Sequence, residues 1–191
     1  MWNWTENQIK MVLIRHGATA SNREHRYLGK TDESLDMIGR MELLAWRSSG
    51  KYPNVDVVFV SPMKRCVETA EILYPGTSCI EIPEWVEMDF GEFEGKNYKE
   101  LSGDERYQAW IDSNGMLPFP GGESREVFVD RCVQGLVKMK TYLAELNYDG
   151  PVTVGCIVHG GTIMALLSHY LGGEYFDYQI PNGGIYRWIL I

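Results

Sequence analysis

Short apolar runs that stop at small polar clusters dominate the hydrophobic pattern of this chain. Met11-Val12-Leu13-Ile14 is apolar and breaks at Arg15-His16-Gly17. Val55-Asp56-Val57-Val58-Phe59-Val60 is rich in β-branched residues and ends at Ser61-Pro62. The stretch from Pro151 to Val158 carries Val152, Val154, Ile157 and Val158, then meets His159-Gly160-Gly161. Apolar runs of this length, bounded by turn residues, predict buried strands. Cys79 to Ile82 and Ile185 to Ile191 are two further strand candidates.

The segments between them carry the helical period. After Ser124, a good N-cap, Phe128, Cys132, Leu136, Met139, Leu143 and Leu146 recur at spacings of three and four and share one helix face. Asn147 to Pro151 is a turn signal that ends this helix. Residues 63–73 and Thr162 to Leu171 predict two more helices, the second stopped by Gly172-Gly173. Strands alternating with helices predict a three-layer α/β/α sandwich with a largely parallel central sheet. In such sheets ligands lie beyond the carboxyl ends of the strands. Arg15-His16-Gly17, Ser61-Pro62 and His159-Gly160-Gly161 all fall at predicted strand ends, which marks a candidate site.

Composition narrows this picture. The 191 residues show no fixed-period repeat, low-complexity tract or linker, so a single domain over residues 1–191 is expected. A net charge of −8 argues against a nucleic-acid-binding surface, which needs surplus Lys and Arg. It leaves room for a small phosphorylated metabolite held in a local positive pocket. The opening Met1-Trp2-Asn3-Trp4-Thr5-Glu6 lacks a basic and an apolar region of a secretory signal. No run approaches the roughly 18 apolar residues of a membrane span. The four cysteines, Cys66, Cys79, Cys132 and Cys156, form no Cys-x-x-Cys pair. Four buried free thiols and a cytoplasmic location are expected. A homodimer is left open.

The residues at the strand ends suit phosphoryl chemistry. Hydrolysis of a phosphate monoester needs a nucleophile, fixed positive charge around the phosphoryl oxygens and an acid for the leaving oxygen. His16 can attack through a ring nitrogen and divide one hard step into two. Arg15 and Arg65 carry planar forks of donors suited to phosphoryl oxygens. His159 offers a third cationic or hydrogen-bonding contact. Gly17, Gly160 and Gly161 allow close backbone approach, and the helix after Gly161 can aim its first amides at an anion. His25 and His169 read as structural or surface histidines.

The residues around these positions resemble one family, the histidine phosphatase superfamily, also called phosphoglycerate mutase-like. The similar stretches are Leu13-Ile14-Arg15-His16-Gly17-Ala18-Thr19-Ala20-Ser21-Asn22, Ser61-Pro62-Met63-Lys64-Arg65-Cys66-Val67-Glu68-Thr69-Ala70, Glu87-Met88-Asp89-Phe90-Gly91-Glu92-Phe93-Glu94-Gly95, Pro120-Gly121-Gly122-Glu123-Ser124 and Val158-His159-Gly160-Gly161. The resemblance implies that His16 is the phosphorylated nucleophile. It implies a phosphate pocket of Arg15, Asn22, Arg65, His159 and Gly160, with His159 also in the catalytic set. Glu87 aligns with the general acid, although Glu84, Asp89, Glu92 and Glu94 are close enough to take its place by a small shift. No metal and no cofactor are implied. Length and the Pro-Gly-Gly-Glu-Ser motif are similar to α-ribazole-5'-phosphate phosphatases and to broad-specificity members. A cofactor-dependent mutase and a phospho-ligand binding protein without turnover are the alternatives.

Two departures stand out. Asp36 occupies a position where the family usually has Thr, and reads as a helix N-cap. Asn182-Gly183-Gly184 stands where a small polar residue is more common, which leaves the pocket floor open. The region from Trp85 to Phe119 holds Phe90, Phe93, Tyr98, Tyr107 and Trp110. These either cover a ring-bearing substrate or pack a lid. Fingerprints of other phosphoryl chemistries are missing: there is no Asp-x-Asp pair and no Cys followed six residues later by Arg. Gly29-Lys30-Thr31 mimics a P-loop end, but Glu24 stands where the first glycine belongs.

Overall fold

The structure, a computed structural model, describes residues 9–146 and 150–190. Residues 147–149 of the expected turn, Ile191 of the expected last strand and the opening Met1–Glu6 lie outside the described residues. Five strands form one sheet: β1 (Ile9–Arg15), β2 (Val57–Val60), β3 (Cys79–Glu81), β4 (Val152–Val158) and β5 (Ile185–Leu190). Their spatial order is β3-β2-β4-β1-β5. All neighbours run parallel except β5, which runs antiparallel to β1. The apolar runs therefore make strands as expected, though β2 and β4 start one or two residues later than the runs that predict them.

Period-two alternation along the strands sorts the core into two layers. Met11 and Leu13 of β1, Phe59 of β2 and Val154, Cys156 and Val158 of β4 face one side. There they pack against α5 (Arg125–Glu145) and α6 (Gly160–Leu171). Val12, Ile14, Val58, Val60 and Ile157 face the other side, covered by α2 (Met37–Ser48) and α3 (Lys64–Leu73). This is the expected three-layer sandwich. Each buried Leu or Phe in these layers stabilises the fold by about 1.5–3 kcal/mol relative to exposure.

Two caps agree with the sequence. The Ser124 side chain accepts from the Val127 amide at the start of α5, and Asp36 accepts from the Gly39 amide at the start of α2. Phe128, Cys132, Leu136, Met139 and Leu143 are all fully buried. Leu146 departs from that stripe: it is the C-cap of α5 and stays 49% exposed. α6 begins at Gly160, two residues before the expected Thr162, because His159 is its N-cap. The remaining helices are α1 (Ala20–Arg23), a single turn, and α4 (Glu105–Asp112), which the apolar pattern does not foretell. Cys66, Cys132 and Cys156 are buried and free, but Cys79 is exposed, because it sits on the outermost strand. No helix among the described residues is long and apolar enough to cross a membrane.

Candidate active site

Strand register brings the polar breaks together. In the parallel pair β1·β4, Arg15 lies opposite Val158, so the next residues, His16 and His159, leave the sheet side by side. Their ring centroids are 5.2 Å apart in an edge-to-face arrangement, close to the spacing between neighbouring strands. β2 pairs with the other side of β4, with Val60 opposite Ile157. That places Ser61 within 2.8 Å of His159 Nε2.

The two imidazoles are held in different ways. His16 Nδ1 lies 2.7 Å from the Gly17 carbonyl. A carbonyl only accepts, so Nδ1 carries the proton and Nε2 keeps its lone pair. Burial pushes the His16 pKa well down, with Arg65 and Arg15 adding to the shift, so the ring is neutral. His159 has both nitrogens engaged. Arg65 Nε donates to its Nδ1 at 3.3 Å, which leaves Nε2–H to donate to Ser61. Burial, then Arg65, hold the His159 pKa well down too. Of the two contacts expected at His159, cationic or hydrogen-bonding, the buried neutral ring fits the second. The neighbouring Cys66 thiol is pushed up to about 12 by burial and carries no thiolate.

Arg65 is fully buried. Its Nη1 donates to the Thr31 carbonyl at 2.9 Å and its Nη2 to the Gly29 carbonyl at 3.0 Å. The Glu94 carboxylate fixes this loop by accepting from the Gly29 and Thr31 amides. Arg65 therefore brings charge to the site from behind His159, with all three nitrogens engaged, and presents no open fork. Arg15 does face the cavity. It donates through Nη1 to the Ile180 carbonyl at 2.8 Å, while its Nε is buried with no partner among the described residues. An unpaired buried donor costs about 1–3 kcal/mol, a cost that an accepting anion offsets.

A cavity of about 550 Å³ opens beside these residues. Of the sequence-predicted set, Arg15, His16, Asn22, Glu87 and Gly160 line it; Arg65 and His159 lie behind the lining. Among the described residues Glu87 is the one carboxylate in the lining. Glu84 pairs with Lys138, Asp89 with Lys30 and Glu92 with Arg106, and Glu94 serves the Arg65 loop. Of these five carboxylates Glu87 is therefore the one placed at the cavity. Glu87 accepts from the Met88 amide at 2.9 Å and the Gly161 amide at 3.3 Å, and burial still raises its pKa. A Cβ on Gly161 would lie 2.3 Å from Glu87 Oε1, so this glycine makes room for the carboxyl.

Several residues to which the sequence assigns no role support the site. Asn182 donates through Nδ2 to the His16 carbonyl and to Asn22 Oδ1, both at 3.1 Å. The Gly183 amide donates to the Arg15 and His16 carbonyls. The departure at Asn182-Gly183-Gly184 thus forms a floor that fixes the His16 peptide. Arg131 grips Glu123 with two nitrogens, at 3.0 and 2.8 Å, and also donates to the carbonyls of Glu84 and Val86. Glu123 in turn accepts from the Asp89 amide at 2.9 Å, so the Pro-Gly-Gly-Glu-Ser motif clamps the segment that carries Glu87.

The far wall is aromatic. Tyr27, Phe90, Trp110, Phe119, Tyr175 and Phe176 line it. Among the five aromatics that the sequence offered, only Phe90 and Trp110 reach the cavity. Phe93 is fully buried in the core, Tyr107 sits behind Tyr27 with the hydroxyls 3.2 Å apart, and Tyr98 is 54% exposed elsewhere. His25, exposed as expected, also reaches the rim, and His169 is exposed away from it.

Residues 11–188 match the histidine phosphatase superfamily (branch 1). The chain belongs to this family of phosphatases and mutases. It is 31% identical over 169 residues to the uncharacterized phosphatase PhoE of Bacillus subtilis, covering 86% of this chain and 78% of that protein. It is 30% identical to the metal-independent phosphoserine phosphatase of Arabidopsis thaliana, covering 82% of this chain and 66% of that one. The fold matches the α-ribazole phosphatase from Shigella flexneri with a TM-score of 0.77, at 22% identity over 93% of this chain and 89% of that chain.

Proposed function

We propose that this member of the superfamily is a metal-independent phosphomonoesterase that works through a phosphohistidine on His16. One observation carries the reading: the Gly17 carbonyl holds the His16 proton on Nδ1, so Nε2 offers a lone pair to the cavity that Glu87 also lines. In the first step Nε2 attacks phosphorus and the P–O bond to the alcohol breaks. The Glu87 carboxyl gives its proton to the departing oxygen. In the second step water attacks phosphorus, its proton goes to the Glu87 carboxylate and the N–P bond breaks. Arg15, Asn22, the Gly160 amide and the charge of Arg65 balance the phosphoryl oxygens, while His159 and Ser61 pack the back of the cup.

The substrate in this reading is a small phosphorylated metabolite whose alcohol part carries a ring or apolar body. The aromatic wall supports that choice. α-Ribazole-5'-phosphate is one such ester and belongs in a metabolite panel.

The test is rapid quench with a phosphate ester. Protein-bound phosphate that is labile in acid, stable in base and absent from His16→Ala is the expected result. No trapped phosphate and no turnover of p-nitrophenyl phosphate from pH 5 to 8 would favour a binding protein. Rapid interconversion of phosphoglycerates with their bisphosphate, without release of phosphate, would favour a mutase.

A further inference from the structure

Three arginines line the cavity, and their surroundings differ. Arg15 belongs to the phosphoryl cup. Arg26 is neutralised at the rim by Glu24 and Glu100, each 2.6 Å away. Arg125 has no carboxylate partner among the described residues. Its guanidinium lies 4.6 Å from the centroid of the Tyr175 ring and 5.1 Å from that of Phe176, and it donates to the Asn114 carbonyl and to Met116 Sδ.

The chain goes to some length to seat it there. Asn114 and Gly115 both take left-handed backbone angles, with φ of 53° and 69°, conformations that disfavour most side chains. A Cβ on Gly115 would lie 2.7 Å from Arg125 Nη2, so the turn leaves space for the guanidinium. Arg125 is also the first residue of α5, directly after the Ser124 cap. That is the end of a helix where a cation is disfavoured and an anion is favoured. An arginine at this end, fixed between rings and with no carboxylate partner among the described residues, adds its charge to that of the helix terminus.

We propose that Arg125, at the N-terminus of α5, is a second anion subsite that holds a carboxylate on the substrate's leaving group. This rests on the phosphatase reading and narrows it. The preferred substrate is then a phosphomonoester with a ring or chain lying along Phe90 and Trp110 and an acid group at its far end. α-Ribazole-5'-phosphate, which carries no second acid group, ranks below such an ester. A salt-bridged guanidinium–carboxylate contact is directional and bidentate, and its loss is felt at about tenfold or more in affinity.

The experiment compares 4-carboxyphenyl phosphate and 4-(2-carboxyethyl)phenyl phosphate with their carboxamide counterparts, which match them in shape but lack the charge. We expect kcat/KM to favour the acid by roughly tenfold at one of the two lengths. Arg125→Gln brings that ratio to near one, and Arg125→Lys restores part of it. Gly115→Ala lowers it by displacing the fork. A ratio near one at both lengths in the wild-type protein, or a preference that survives Arg125→Gln, overturns the subsite. Titration calorimetry with the same four esters reads the ratio as affinity. Failure of hydrolysis with the affinity ratio intact would count against the phosphatase reading and leave the subsite standing.

Discussion

On one side of the cavity the polar side chains sit at the ends of buried strands or in the first turn of a helix. His16, Ser61 and His159 are all nearly or fully buried and locked by hydrogen bonds to each other or to backbone. On the opposite side Tyr27, Phe90 and Phe119 come from loops, Trp110 from the last turn of α4 and Arg125 from the start of α5, and they meet through ring contacts. The first side holds distances that bond formation demands, where a shift of 1 Å is expensive. The second can vary in shape without disturbing them. In the proposed reading, chemistry is held by the sheet and selectivity by what hangs over it.

Substitutions on the two sides should therefore fail in different ways. The largest effect is expected from His16→Ala, which removes the proposed nucleophile and lowers kcat by about 10⁴-fold or more, measured by steady-state release of phosphate from p-nitrophenyl phosphate. Glu87→Gln follows, at roughly 10²–10⁴-fold for poor leaving groups and much less for p-nitrophenol. The pH profile checks its role. The raised Glu87 pKa keeps the acid protonated above the ordinary carboxyl range, so kcat/KM falls as pH rises through it. The Gln variant loses that limb. Equal losses for good and poor leaving groups would point to another acid.

Gly161→Ala should cost about 10²-fold in kcat with little change in KM, because the added methyl displaces the Glu87 carboxyl. Phe90→Ala, on the wall, should instead lower kcat/KM by roughly tenfold for ring-bearing esters and spare small ones. If Phe90→Ala lowers both alike, the two sides are not separable.

The smallest effect concerns stability. Both cup histidines are neutral when folded, with pKa values below the unfolded 6.5. An unfolded chain therefore binds more protons as pH falls below about 6.5, and their contribution is lost on acidification. Each histidine adds up to about 1.4 kcal/mol per pH unit to that loss. His16→Asn should flatten the acid side of the stability curve by one histidine's share, read by denaturant titration at pH 7 and pH 5.

The same contrast governs what could be read from the sequence. Strands β1, β2 and β4 are covered on both faces, so they stand out as apolar runs, and parallel register then aligns the polar residues that follow them. The wall offers no such signal. Phe90 and Phe93 lie three residues apart, yet one lines the cavity and the other fills the core. An aromatic that packs and one that waits for a ligand have the same hydrophobicity, and only the path of the loops separates them. Arg125 looks like an ordinary helix residue until Tyr175 and Phe176, some fifty positions on, fold back against it. Asn182 is similar: its contact with the His16 carbonyl joins residues 166 positions apart in the chain.

The account depends most on which nitrogen of His16 holds the proton. Nitrogen-15 NMR of histidine-labelled protein, assigned by comparison with His16→Asn, reads this directly. A neutral ring protonated on Nδ1, with an unprotonated Nε2 that persists well below pH 6.5, is the expected result. An imidazolium at neutral pH, or a neutral ring with its proton on Nε2, would contradict it.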